Sequence, residues 1–192
     1  MPAAFLNSEG SFYLLERIHK IWEHPLYREQ FQALQEAEAD RIFCRHTLEH
    51  FLDVARIACI QNLESDAGLP KVLIYAAALL HDIGRYQQLR LGIPHEKAGA
   101  ALAEQIMKEC GFSREETEIV CLAILRHRDH PSPQITTASN TCFADGTSPV
   151  DSSDALSRLL YRADKLSRNC FSCPASEECN WHADKKNLRI SI

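Results

Sequence analysis

The stretch Val72-Leu73-Ile74-Tyr75-Ala76-Ala77-Ala78-Leu79-Leu80 is apolar on every side of a helix, and it runs straight into His81-Asp82. A helix without a polar face cannot lie on a surface, so other elements must surround it. It is also far shorter than the roughly 20 residues that span a bilayer. The stretch therefore predicts the buried central helix of a bundle, with two polar side chains delivered where it ends.

The rest of the chain agrees with an all-α fold, because apolar residues recur at helical spacing and alternating strand patterns are missing. Helices are expected over residues 11–22, 26–39, 40–62, 72–80, 95–110, 113–128 and 154–168. His24-Pro25 breaks the first from the second, Pro94 suits a first turn, Gly111 an exit, and Ser113 with Glu116 has capping-box spacing. In the third, Ile42, Phe43, Leu48, Phe51, Val54, Ala55 and Ala58 form one apolar side. Residues 129–153 are rich in Pro, Ser and Thr and have no period, which predicts a long polar loop acting as a lid or binding segment. The 192 residues then divide into N-terminal helices packing on the core (1–39), a main domain (40–168) and a short Cys-rich tail (169–192).

A net charge of −5 argues against sequence-independent nucleic-acid binding, which needs Lys and Arg to neutralise phosphates, but it leaves room for a small phosphorylated substrate. The N-terminal MPAAFLNSEG lacks a basic region ahead of an apolar one. The expectation is a cytoplasmic protein with no membrane and no nucleic-acid partner, free to form a homo-oligomer.

Nine histidines are the informative excess, since imidazole is the commonest neutral metal ligand. By itself a His-Asp pair at a helix end is more often a cap and its neighbour than a metal site, but ligand types recur on other predicted helices. His46 and His50 are four apart, His95 opens a helix, His127 closes one, and Asp164 sits among apolar neighbours in Leu159-Leu160-Tyr161-Arg162-Ala163-Asp164. Burying that carboxylate without a cation or donor would cost several kcal/mol.

The order His50, His81-Asp82 and a distant Asp164 resembles the HD superfamily of metal-dependent phosphohydrolases, whose signature is a His, a His-Asp pair and a remote Asp on one helical bundle. Over residues 40–168 the resemblance implies that His50, His81, Asp82 and Asp164 hold a first divalent metal. His95 and His127 match the added histidines of the two-metal subset, so that Asp82 would bridge and these two would complete a second site. His130 is the alternative to His127. His46 matches no signature position and reads either as a group supporting the ligands or substrate, or as a capped core histidine.

Such ligands suit Fe or Mn, with Zn, Ni, Co or Mg as alternatives. Arg85 follows the His-Asp pair where several phosphodiesterase relatives carry a phosphate-touching Lys, and Arg126, Arg128 and Lys165 flank other proposed ligands. Each is a candidate phosphate clamp or, alternatively, a solvated surface charge. With Asp82 as the bridging group, the resemblance implies hydrolysis of a phosphoester or phosphoanhydride in a nucleotide-like substrate, closest to the small single-domain hydrolases of dinucleoside polyphosphates. Two alternatives share the ligands: a mixed-valent di-iron oxygenase, and a metal-binding regulatory module without turnover.

Cys170, Cys173, Cys179 and His182 have the residue types of a metal knuckle, for zinc or an iron–sulfur cluster; reduced cysteines packed beside Trp181 are the alternative.

Overall fold

The computed structural model describes residues 8–128 and 149–190. It contains α1 (Ser8–Glu23), α2 (Pro25–Ala37), α3 (Leu48–Glu64), α4 (Lys71–Leu80), α5 (Arg85–Leu91), α6 (His95–Glu109), α7 (Arg114–Arg126) and α8 (Pro149–Leu166). Two single-turn 3₁₀ segments follow, Cys170–Ser172 and Ala183–Lys185. Among the described residues there is no strand. The fold is an all-α bundle.

The all-apolar helix is its axis. In α4 every residue from Val72 to Leu80 except Tyr75 is buried, and the helix packs against α1, α3, α6, α7 and α8. No helix among the described residues is long and apolar enough to cross a membrane. The N-terminal pair docks on this frame, α1 against α4 and α2 against α5 and α6.

Local chemistry sets the boundaries. Pro25 opens α2, and the Ser113–Glu116 capping box at α7 is complete, each side chain accepting from the other residue's backbone N–H. Thr47 caps α3 by accepting from His50 N at 3.3 Å.

Three expectations need correction. The third helix starts at Leu48 and not at residue 40, because polar ties hold the preceding segment in an irregular, non-helical path: Glu38 accepts from both His46 N and Nδ1, and Gln35 donates to His46 O. Ile42 and Phe43 are consequently exposed, 59% and 40%, rather than part of an apolar face. Helix α5 was not expected at all, since RYQQLRL buries no residue and carries no apolar stripe. Helix α8 starts at Pro149, five residues into what reads as loop, with proline pre-set for a first turn. The remainder of that loop expectation, together with His130, lies outside the described residues.

Gly84 matters most to the site. A β-carbon there would stand 2.4 Å from both Gly99 N and His95 O, so only glycine lets the start of α6 lie against the exit of α4. This close crossing brings His95 to the His81-Asp82 turn.

Candidate metal centre

Six side chains from five structural elements converge at the end of α4. His50 comes from α3, His81 and Asp82 from the turn after α4, His95 from α6, His127 from the end of α7, and Asp164 from α8. One ligand atom each from His50, His81, Asp82 and Asp164 lies within 4.8 Å of the others, and the same holds for Asp82, His95 and His127. Asp82 belongs to both groups. Its Oδ2 is 3.3 Å from His81 Nε2, whereas its Oδ1 is 3.1 Å from His95 Nε2 and 3.8 Å from His127 Nε2.

The imidazole tautomers fit metal binding. His81 Nδ1 is 2.8 Å from Ala78 O and His127 Nδ1 is 2.6 Å from Ile124 O; carbonyls only accept, so both nitrogens carry the proton. His95 Nδ1 donates to Gln88 Oε1 at 2.7 Å, and His50 Nδ1 donates to Ser167 Oγ at 3.1 Å, whose own proton goes to Asp164 O. Each ring thus presents its Nε2 lone pair inward, as a ligating histidine fixed by its other nitrogen does. His50 Nε2 and His81 Nε2 are buried and have no hydrogen-bond partner among the described residues. His95 Nε2 and His127 Nε2 face each other at 3.4 Å, a repulsive contact that a cation between them would relieve.

Charge points the same way. Burial pushes the Asp82 carboxyl up, but the adjacent His81 and Arg85 and the hydrogen bond from His46 hold it well below the usual carboxylate range. Burial likewise pushes His50 down to about 4, assisted by His81, and His95 down to about 3 despite Asp82. The pocket therefore keeps an ionised Asp82 beside neutral His50 and His95, and this donor set fits a divalent cation of borderline hardness.

His46 is no helix neighbour of His50, because it precedes the Thr47 cap. Its ring bridges two carboxylates, with Nδ1 2.8 Å from Glu38 Oε1 and Nε2 3.3 Å from Asp82 Oδ2. Burial opposes its charge, but hydrogen bonds to Asp82 and Glu38 raise His46 to about 9. Glu38 is 3% exposed and escaped the sequence reading entirely, since a lone Glu at a helix end carries no signal. Ser167 and Arg168 were also missed, although they sit three and four residues after Asp164 on its own face; Arg168 donates to Asp164 Oδ2 at 3.0 Å.

A cleft of about 430 Å³ opens beside His50 and Asp164, and Arg41, Arg45, Arg85 and Arg168 line it. Arg85 Nε donates to Asp82 Oδ1 at 3.1 Å. The other sequence candidates for phosphate do not line this cleft. Arg126 is paired with Asp154, Lys165 Nζ lies 3.1 Å from the centroid of the Tyr161 ring, and Arg128 is exposed after α7. His182 stands away from the tail cysteines, exposed and hydrogen-bonded to Asp184.

In comparison with known proteins, the HD domain family matches residues 47–169, a span that contains all six converging side chains. The chain belongs to the HD domain family. HD domains bind divalent metals, and both groups meeting at Asp82 can hold one. Over 176 residues the chain is 39% identical to an uncharacterized protein of Clostridium beijerinckii, covering 92% of this chain and 99% of that one. It is 28% identical over 180 residues to ribonuclease Y of Thermoanaerobacter pseudethanolicus, covering 92% of this chain but only 34% of that longer enzyme. A crystal structure of a predicted HD superfamily hydrolase from an uncultured Thermotogales bacterium shares the fold, with a TM-score of 0.53 at 24% identity over 84% of this chain and 81% of that one.

Proposed function

We propose that this HD domain is a metal-dependent phosphohydrolase that cleaves a phosphoester or phosphoanhydride in a small nucleotide-like substrate. The observation that carries the reading is the division of one carboxylate between two ligand groups, Asp82 Oδ2 toward His81 and Oδ1 toward His95 and His127. His50, His81, Asp82 and Asp164 would hold one ion, and Asp82, His95 and His127 a second. Two divalent ions at such a site supply an acidified water and neutralise phosphate oxygens.

The protein's own groups do the rest. Arg85, half-buried and braced by Asp82 and Gln88, presents a fixed guanidinium for bidentate contact with a phosphate. Arg41, Arg45 and Arg168 line the same cleft as Arg85, interspersed with Glu49, Asp53 and Asp164, and this mixed lining in a net acidic chain favours a compact anion over a long polyanion. His46 is a positioning residue: locked by Glu38, it holds Asp82 Oδ2 and keeps that carboxylate oriented.

A phosphate-release screen with added Mn²⁺ or Fe²⁺ tests the reading, using mononucleotides, dinucleoside polyphosphates, cyclic dinucleotides and short RNA. Short RNA is included because ribonuclease Y is among the relatives. Turnover of a small nucleotide, abolished in Asp82→Asn, is expected. Cleavage of RNA alone would replace the small substrate, and dioxygen consumption without phosphate release would move the centre to oxygenase chemistry.

A further inference from the structure

The C-terminal tail holds a defined path without the usual means of doing so. From Ser167 to Ile190 the one buried residue is Ala175, and the only regular structure is two single 3₁₀ turns. No disulfide joins it, since Cys170, Cys173 and Cys179 are all free thiols. Those three cysteines are nevertheless among the few inward-facing residues of the segment. So little apolar burial cannot offset the entropy of ordering such a segment, which calls for a staple.

Folding adds a fourth thiol, Cys44, from far upstream in the chain. Cys44 lies in the irregular segment before α3, and it lines the same cavity of about 210 Å³ as Cys170, Cys173 and Cys179. Burial raises the Cys44 thiol, and the charges of Cys170 and Cys173 raise it further while Arg168 opposes them, so these groups sense one another across the cavity. Arg41, Lys186 and Trp181 complete the walls; Arg168 stacks on Trp181 at 4.3 Å, and Lys186 Nζ donates to Cys179 O. Thiolates would thus find positive charge around them. His182, the fourth candidate from sequence, points to solvent.

The absence of a close triple of sulfurs favours a cluster over a single ion. Four cysteines on a single tetrahedral zinc, at about 2.3 Å per bond, place their sulfurs ~3.8 Å apart. Among the described residues, no three of these sulfurs come within 4.8 Å of one another, although the His/Asp groups at Asp82 do so in the same structure. As they stand, the thiols do not close on a single ion, whereas a cluster that carries its own inorganic sulfide between the irons spans a wider ring of thiolates.

We propose that Cys44, Cys170, Cys173 and Cys179 hold an iron–sulfur cluster that fastens the tail to the segment before α3. Cys44 is two residues from His46, and Cys170 two from Arg168, so the cluster also fixes one wall of the arginine-lined cleft.

Protein purified without oxygen tests this through acid-labile sulfide, which the His/Asp centre cannot supply. About four sulfides per chain are expected, with a visible absorption that bleaches on reduction. Cys44→Ser should lose at least half of the sulfide while keeping its helical circular dichroism, and His182→Ala should keep all of it. Asp82→Asn should also keep it, which separates this proposal from the phosphohydrolase reading. Zinc without sulfide, a metal-free tail, or a cluster indifferent to Cys44→Ser but lost in His182→Ala would each overturn the assignment.

Discussion

Gly84 and Gly99 touch through their backbones, so closely that a β-carbon on Gly84 would stand 2.4 Å from Gly99 N. The contact joins the exit of α4 to the first turns of α6, and through it His95 reaches Asp82. Gly84→Ala must push backbone and not a flexible side chain, so it should cost at least the roughly 1–3 kcal/mol of ordinary overpacking. Urea denaturation measures that loss. Metal analysis of the same variant should show the group of Asp82, His95 and His127 losing its ion before the group containing His50 does.

Removing the ions should also reveal how much the centre stabilises the bundle. Free ion at about 100 times its dissociation constant contributes about 2.7 kcal/mol per site. For a chain of this length that corresponds to a fall of about 5–10 °C in Tm when chelator is added. A melting curve unchanged by chelator would mean that the His/Asp groups bind no ion tightly.

Arg85→Ala should lower kcat by about 100-fold, in the range seen when one preorganised donor to a developing charge is removed. Bound metal should stay constant, because Arg85 contacts Asp82 without supplying a ligand. Arg85→Lys should recover only part of the rate, since an ammonium cannot make the bidentate contact. Arg126→Ala should leave kcat unchanged, as its partner is Asp154 and not the cleft.

The pair of Glu38 and His46 predicts a pH profile for the metal-free chain. His46 is raised from 6.5 to about 9, so its contribution is fully present below pH 6.5 and is lost as pH rises through about 9. For Glu38, burial works against ionisation but the hydrogen bonds and charge of His46 lower its pKa. Its contribution is therefore present above pH 4.5 and is lost as pH falls. Chemical denaturation across pH 5–10 should show stability declining on the alkaline side, and Glu38→Gln should flatten that decline.

Much of the centre was legible because its chemistry is local. His81-Asp82 ends an all-apolar helix, and Asp164 is a carboxylate on a buried helical face; either is costly unless it meets a cation. Helix α5 was not legible, because RYQQLRL is held by α2 and α6 and by Gln88 bonding to His95, not by an apolar stripe. The start of α3 was misplaced for a related reason. Residues 40–47 have helical apolar spacing, but Glu38 and Gln35 bind the backbone and ring of His46 more effectively than another turn of helix would.

By itself, then, the sequence determined the all-α class and the buried axis, since periodicity acts within a few residues, and its resemblance to the HD signature supplied the six side chains that converge. Only the tertiary structure decided which cations face the cleft, which carboxylate orients His46, and which cysteine stands opposite Cys170. Arg126 and Arg85 look alike along the chain, yet one meets Asp154 and the other Asp82. Cys44 and Cys170 come to one cavity from far apart in sequence. Such pairings depend on how α3 and α8 pack, a long-range relation that no local spacing encodes.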